Sequence, residues 1–268
     1  MKDTPLPPIS TDLRPHLASP STAVIVTGAA SGIGLASARA VAAVGRPVAL
    51  WDINGTAAEA AATAIAEEFG VPTCVATVDL RDAAAIGPAL EQARQALPAI
   101  GGLVHAAGVV DTGSLEGITA DNWDAGINVH LRALALLVQA MLPDLSANPG
   151  SAVVAIASIN ATLGNATNPI YSAAKGGMLS LVRSLADRLA HDGVRINSLS
   201  PGMIATPMMQ PTLDHLPKGQ LERRVLMGRM GEPEEIGRVA RFLLSDEASF
   251  ITAAEIVVDG GNISSQRQ

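Results

Sequence analysis

From residue 23 to residue 258 the chain alternates short runs rich in Val and Ile with longer segments of helical character, and this alternation constrains the fold more than any other feature. The runs are AVIVT (23–27), PVALW (47–51), TCVATV (73–78), GLVHA (102–106), AVVAIA (152–157), VRINSL (194–199) and EIVV (255–258). Most are continuously apolar, the pattern of central parallel strands covered on both faces. Between them, residues 33–44 end before Gly45 and residues 56–69 before Gly70, each glycine standing where a left-handed helix cap is expected. Asp82 is placed to cap a helix running toward Leu97, which Pro98 ends. A repeating strand–helix pattern predicts an α/β fold, a doubly wound parallel sheet with helices on both faces. No linker, charge block or internal repeat divides it, so residues 21–268 are read as one domain.

Composition narrows the function. At 268 residues, 48% hydrophobic and 16% charged, the chain can bury a large core. A net charge of −7 argues against a nucleic-acid partner, whose binding draws on Lys and Arg. Cys74 is the single cysteine and lies in an apolar run, which reads as a buried small side chain, and no Cys/His cluster has metal-site spacing. Residues 1–20, rich in Pro and polar side chains, read as an extended arm without the apolar stretch of a secretory signal or membrane helix. The expectation that follows is a cytoplasmic protein with neither nucleic-acid nor membrane partners.

The first strand runs into Thr27-Gly28-Ala29-Ala30-Ser31-Gly32-Ile33-Gly34 and then a helix. Glycines at a strand-to-helix turn let backbone N–H groups approach a phosphate at the helix N-terminus. The second strand ends at Asp52, where a carboxylate can meet adenosine ribose hydroxyls and would repel a 2′-phosphate, favouring NAD. The alternative makes Asp52 an ordinary turn residue. Asp79, after the third strand, either faces an adenine ring or caps the approach to the next helix. HAAG (105–108) places small residues where a cofactor would pass over the sheet.

Tyr171, the only tyrosine, and Lys175 stand one helical turn apart, so phenol and ammonium share a face. A nearby cation favours the phenolate, and an oxidised nicotinamide would add positive charge, drawing the phenol from about 10 toward the range useful for proton transfer. Ser158 lies thirteen residues earlier, at the C-terminal end of an apolar strand, where ligands gather in open α/β sheets. A serine there can donate to a substrate carbonyl oxygen. Asn128 is a polar residue in the apolar helical segment 122–141, either holding a relay water or acting as a satisfied structural amide.

The set TGAASGIG (27–34), HAAG (105–108), Asn128, Ser158, Tyr171-x-x-x-Lys175 and Pro201-Gly202 resembles the short-chain dehydrogenase/reductase family, over about residues 20 to 262. The resemblance implies a Rossmann-type sheet of seven parallel strands. It implies Tyr171 as general acid/base, Lys175 on the nicotinamide ribose and lowering the tyrosine pKa, Ser158 polarising the substrate oxygen, and Asn128 holding a water. It also implies cofactor contacts from Gly28, Ser31, Gly32, Ile33, Gly34, Asp52, Asp79, Leu80, Ala106, Ala107, Gly108, Tyr171, Lys175, Pro201, Gly202 and Ile204, with Thr206 on the carboxamide. Two departures stand out: His105-Ala106-Ala107-Gly108 replaces the usual Asn-Asn-Ala-Gly, and Ala155-Ile156-Ala157-Ser158 the usual Asn-x-Ser-Ser. His105 is read as structural, facing the cofactor or the adjacent helix.

Residues 203–231 depart from the regular pattern and hold five of the eight methionines. By resemblance they form a substrate lid; the methionines either line an apolar pocket or pack the lid onto the sheet. His215, Lys218, Arg223 and Arg224 could meet an anion or be plain exposed charge. The expected activity is NAD-dependent hydride transfer between nicotinamide and a secondary alcohol or ketone, in a homotetramer by resemblance. An NADPH-dependent 3-oxoacyl-carrier-protein reductase and a non-catalytic NAD-binding regulator are the alternatives. A sugar epimerase of the extended type would need a larger C-terminal domain than this chain has room for.

Overall fold

The structure, a computed structural model, describes residues 12–217 and 219–264. In chain order its strands and longer helices are β1 (Ala23–Thr27), α1 (Gly32–Ala42), β2 (Val48–Asp52), α2 (Gly55–Phe69), β3 (Thr73–Thr77), α3 (Ile86–Ala96), β4 (Ile100–His105), α4 (Ala120–Ile127), α5 (Ala133–Ala147), β5 (Ala152–Ile156), α6 (Asn160–Leu163), α7 (Pro169–Ala190), β6 (Arg195–Pro201), α8 (Gln210–His215), α9 (Pro233–Leu243) and β7 (Glu255–Val258). The seven strands form one parallel sheet in the order β3-β2-β1-β4-β5-β6-β7.

Continuous apolarity in the strands has a direct cause. Successive residues point to opposite faces, and here both faces are buried. Ile25, Trp51, Leu103, Val153 and Ile196 join one core with α3, α5 and α7. Val24, Leu50, Val104, Val154 and Leu199 join the other, with α1, α2 and α9. Reversal of strand order between β1 and β4 opens a crevice at their C-terminal ends, the place where ligands bind in such sheets.

Several boundaries differ from those expected, for physical reasons. β4 starts at Ile100, before the glycine pair, because Gly101 and Gly102 lie against Thr22, Ser151 and Val24, where a Cβ would collide. β6 runs on through Pro201, paired with Val258 of β7. The first helix stops at Ala42, two residues short of expectation, whereas Gly70 caps α2 in the left-handed region as anticipated. Asp82 caps a single 3₁₀ turn that leads into α3. The segment 122–141 is not one regular α-helix: α4 passes into a π-turn at Asn128–Arg132 and then into α5, which continues past Pro143. The whole run Ala120–Ala147 is long and apolar enough to cross a membrane by length and composition, yet here Leu134, Leu137, Met141 and Leu145 are buried in the layer over the sheet. α9 was not anticipated, although Pro233 at its first turn and the Glu232/Glu235 capping box announce it. It packs along α1, with Gly237 so close to the Ala36 carbonyl that a Cβ there would collide.

Residues 1–11 of the expected arm, and Lys218, lie outside the described residues. Residues 12–20 are tied to the turn after α9 by His16 N donating to Glu247 at 2.7 Å and Asp246 N donating to Ser19 O at 2.7 Å.

Candidate active site

The C-terminal ends of β1 and β4 meet in register, Thr27 beside His105. His105 Nδ1 lies 3.0 Å from Thr27 Oγ1, and the Ala106 and Ala107 amides each donate to that oxygen at 3.2 Å. His105 Nε2 lies 3.0 Å from the His130 carbonyl, so the ring links the sheet edge to the π-turn. Burial, reinforced by the nearby Lys175 charge, lowers the His105 pKa to about 4 and keeps the ring neutral. The histidine in place of the usual asparagine thus holds together the strand ends that flank the crevice.

Thr27 opens the glycine loop. Gly28 takes φ +67, and a Cβ there would lie 2.8 Å from the Ala107 backbone, so neither conformation nor space admits a side chain. α1 begins at Gly32 with no acidic residue in its first turn, and the Ser31 side chain makes no cap bond. That leaves first-turn amides available for an anion, as phosphate sites require. Asp52 stands at the tip of β2, its Oδ2 accepting from Ala30 N at 2.9 Å and its Oδ1 from Asn54 N at 2.9 Å. The carboxylate therefore fixes the glycine loop. Asp79 is held by Arg81, with N–O distances of 2.7–3.1 Å, and Leu80 is buried. These residues fit a dinucleotide: a tight loop, open helix amides and a carboxylate beyond the second strand.

Next to the crevice stand the residues of chemical interest. Ser158, buried just after β5, accepts from Asn160 N at 3.1 Å, and its hydroxyl stands near enough to the Tyr171 phenol to act on its ionisation. Lys175 is buried within α7; its Nζ lies 5.4 Å from the Tyr171 ring centroid and donates to the Ile156 carbonyl at 2.5 Å. Burial lowers its pKa to about 7. Burial raises the Tyr171 phenol, and the Ser158 hydroxyl opposes that rise. Proximity of Lys175 alone therefore does not make Tyr171 a phenolate. Asn128 is the first residue of the π-turn, its carbonyl accepting from Ala133 N.

On the far side of the crevice, Gly202 N donates to Val258 O at 3.0 Å, continuing from Pro201 of β6. Ile204 is buried and bridges Gly231, while Ala205 N donates to Gly231 O and Gly231 N to Met203 O. The segment 206–230 thus leaves and returns through one closed neck. Thr206, just beyond that neck, lies against Gly32: a Cβ on Gly32 would be 3.4 Å from its methyl. Of the five methionines, Met208 and Met227 are exposed and Met203, Met209 and Met230 half-buried; His215, Arg223 and Arg224 are exposed.

Two residues of the site escaped sequence reasoning. His130 is buried in the π-turn, its ring edge-on to Tyr171 at 5.4 Å between centroids, with Nε2 2.8 Å from the Val109 carbonyl. A Cβ on Gly108 would come within 2.2 Å of this ring. As a polar residue two places after Asn128 in an apolar helix, it was visible as an anomaly. Asp111, bonded to the first turn of α7, carried no local signal.

The family model described as enoyl-(acyl carrier protein) reductase matches residues 28–262. This chain belongs to the short-chain dehydrogenase/reductase family. It is an oxidoreductase of alcohols and ketones that uses a nicotinamide cofactor. Among curated relatives of this short-chain dehydrogenase/reductase, 2-(S)-hydroxypropyl-CoM dehydrogenase 3 of Xanthobacter autotrophicus is 35% identical over 249 residues, covering 89% of this chain and 95% of the relative. The 3-oxoacyl-[acyl-carrier-protein] reductase FabG of Chlamydia trachomatis is 32% identical over 237 residues, 88% and 95% of the two chains. Among solved structures, L-sorbose reductase of Gluconobacter frateurii, complexed with NADPH and L-sorbose, superposes with a TM-score of 0.85 at 26% identity, covering 91% of this chain and 97% of the other.

Proposed function

We propose that this enzyme interconverts a secondary alcohol and its ketone with NAD as cofactor, and that Tyr171 is the general acid/base. The observation that carries this reading is the cluster of the Ser158 hydroxyl, the Tyr171 phenol and Lys175 beside the glycine loop. When bound, the cofactor supplies the hydride acceptor for oxidation and the donor for reduction. In oxidation Tyr171 Oη takes the proton of the substrate hydroxyl, and in reduction it returns that proton to the forming alcohol. Ser158 Oγ holds the substrate oxygen by a hydrogen bond. Lys175, anchored on the Ile156 carbonyl, stabilises the phenolate across one helical turn when it carries its proton. Asn128 at the π-turn holds a water of the proton path.

Gly28, Ser31, Gly32, Ile33 and Gly34 would hold the phosphates, Asp52 the adenosine ribose, and Asp79 and Leu80 the adenine. Ala106, Ala107 and Gly108 form the floor, with Lys175 on the second ribose and Pro201, Gly202, Ile204 and Thr206 at the nicotinamide end. The Asp52 carboxylate supports NAD, since it would repel a 2′-phosphate. Residues 203–231 are proposed as the lid, entered and left through the Ile204–Gly231 bridge. A homotetramer is proposed from the family resemblance, with the helices after residues 120 and 171 as its interface, and sedimentation showing only monomer at micromolar concentration would remove it.

A second reading, 3-oxoacyl-carrier-protein reduction with NADPH, is favoured by the Chlamydia relative and by the exposed Arg223 and Arg224 on the lid. Hydride transfer followed by nicotinamide absorbance, against a panel of secondary alcohols, ketones and 3-oxoacyl thioesters, separates the two. Turnover of small alcohols or ketones with NAD(H) is expected. Turnover restricted to 3-oxoacyl thioesters with NADP(H) would replace the first reading by the second.

A further inference from the structure

The helix that carries Tyr171 and Lys175 does not cap itself. Asn168, at its N-cap position, makes no side-chain cap bond, and Pro169 follows without an N–H to offer. No acidic residue occupies the first turn. The exposed amides are met from elsewhere in the chain. Asp111 Oδ1 accepts from Tyr171 N at 2.9 Å and Oδ2 from Ile170 N at 3.2 Å. Asn168 Nδ2 returns a hydrogen bond to the Asp111 carbonyl at 2.5 Å. Ser114 N donates to Thr167 O at 3.3 Å, a second stitch between the same two segments. The loop after β4 is gripped at its other end by His130, whose Nε2 lies 2.8 Å from the Val109 carbonyl and whose ring meets Tyr171 edge-on.

We propose that Asp111 is a positioning residue for Tyr171: its carboxylate, brought from the loop after β4, fixes where the first turn of α7 begins and sets the charge the phenol faces. The importance of that for turnover rests on the reading of Tyr171 as acid/base; the arrangement itself does not. Carboxylates at helix N-termini offset the positive end of the helix dipole. With Asp111 in place that end is neutralised at the backbone of Tyr171 itself. The titratable groups shown against the Tyr171 ring are Lys175 from the same helix and His130 from the π-turn, and burial keeps His130 neutral; Asp111 reaches the residue at its backbone N–H.

The chain offers an unusually direct readout, because Tyr171 is its only tyrosine. Tyrosinate absorbance in the near ultraviolet therefore reports this phenol alone, with no substrate needed. The experiment titrates wild type, Asp111→Asn and Asp111→Ala by rapid pH jumps, so that ionisation is read before alkaline unfolding. Asp111→Asn is nearly isosteric; it removes the charge and one of the two acceptors, because its Nδ2 cannot accept from a backbone N–H, and its phenol is expected to ionise roughly half a pH unit below wild type. Asp111→Ala also loses both amide bonds, and its kcat is expected to fall roughly 10–100-fold with little change in KM or in NADH binding. Thermal unfolding of each variant shows whether it is folded. An Asp111→Asn midpoint equal to or above wild type, in folded protein, would overturn the proposal. So would an Asp111→Ala enzyme whose loss of activity only tracks its folded fraction. Turnover of Tyr171→Phe is read separately: if it persists, the acid/base reading fails, while the tyrosinate titration still decides the role of Asp111.

Discussion

Replacing Lys175 by Met should destroy turnover and stabilise the fold. Lys175 lies buried with a single hydrogen bond to the Ile156 carbonyl, and burial carries its pKa from the ordinary 10.5 to about 7. Between those values the unfolded chain holds a proton that the folded chain lacks, so the wild-type protein loses stability as pH falls from 10.5 toward 7. The full difference is about 4–5 kcal/mol, of which about 4 is felt at pH 7 and about 2 at pH 9. Methionine keeps the volume of the stem and carries no charge, but it orphans the Ile156 carbonyl, at a cost of about 1–2 kcal/mol. The net gain is about 2–3 kcal/mol at pH 7, which raises Tm by roughly 5–10 °C for a domain of this size, and it shrinks to about zero at pH 9. Thermal unfolding of the cofactor-free protein by circular dichroism, wild type and variant at both pH values, measures this. A variant no more stable than wild type at pH 7, or a difference that does not change with pH, would refute the argument that burial destabilises the ammonium.

Asp52→Asn removes a charge that would repel a 2′-phosphate. At roughly 5 Å and an effective dielectric of about 50, the repulsion of a phosphate carrying about two negative charges is about 2.5 kcal/mol, so the ratio of kcat/KM for NADP against NAD should rise roughly 70-fold. An unchanged ratio would mean that Asp52 serves only to hold Ala30 and Asn54, the two amides it accepts from. Gly108→Ala puts a methyl within 2.2 Å of the His130 ring and should cost about 1–3 kcal/mol, while disturbing the ring that packs on Tyr171. Unfolding and turnover at wild-type values would show that His130 moves aside freely.

What the sequence revealed and what it hid follow from the range of the interactions. Strands such as AVIVT were legible because each residue is buried on one face or the other, which writes burial into a continuous local run. Ser158, Tyr171 and Lys175 were legible because they sit at a strand end and one helical turn apart, and the structure brings them together. The π-turn was not, since one extra residue per turn barely alters hydrophobic periodicity over a segment as apolar as 122–141. The run expected from Gly102 left out Ile100 and Gly101, which belong to β4, where the two glycines make room for Thr22 and Val24. Asp111 was invisible because its partner lies sixty residues away, joined only by the topology that sets the loop after β4 against α7. The ionisation of Tyr171 was legible only in its partner: without the cofactor, desolvation acts on both Tyr171 and Lys175 and raises the phenol.

The central claim, that Tyr171 moves the substrate proton, is tested most directly by Tyr171→Phe. Phenylalanine keeps the ring against His130 and removes only the hydroxyl. The measurement is kcat/KM on a substrate identified in the panel, with NADH affinity read by fluorescence on the same samples. A fall of roughly 10²–10⁴-fold in kcat/KM with NADH binding within about threefold of wild type is the predicted result. Turnover within about threefold of wild type would contradict it and require another proton carrier at the end of β5.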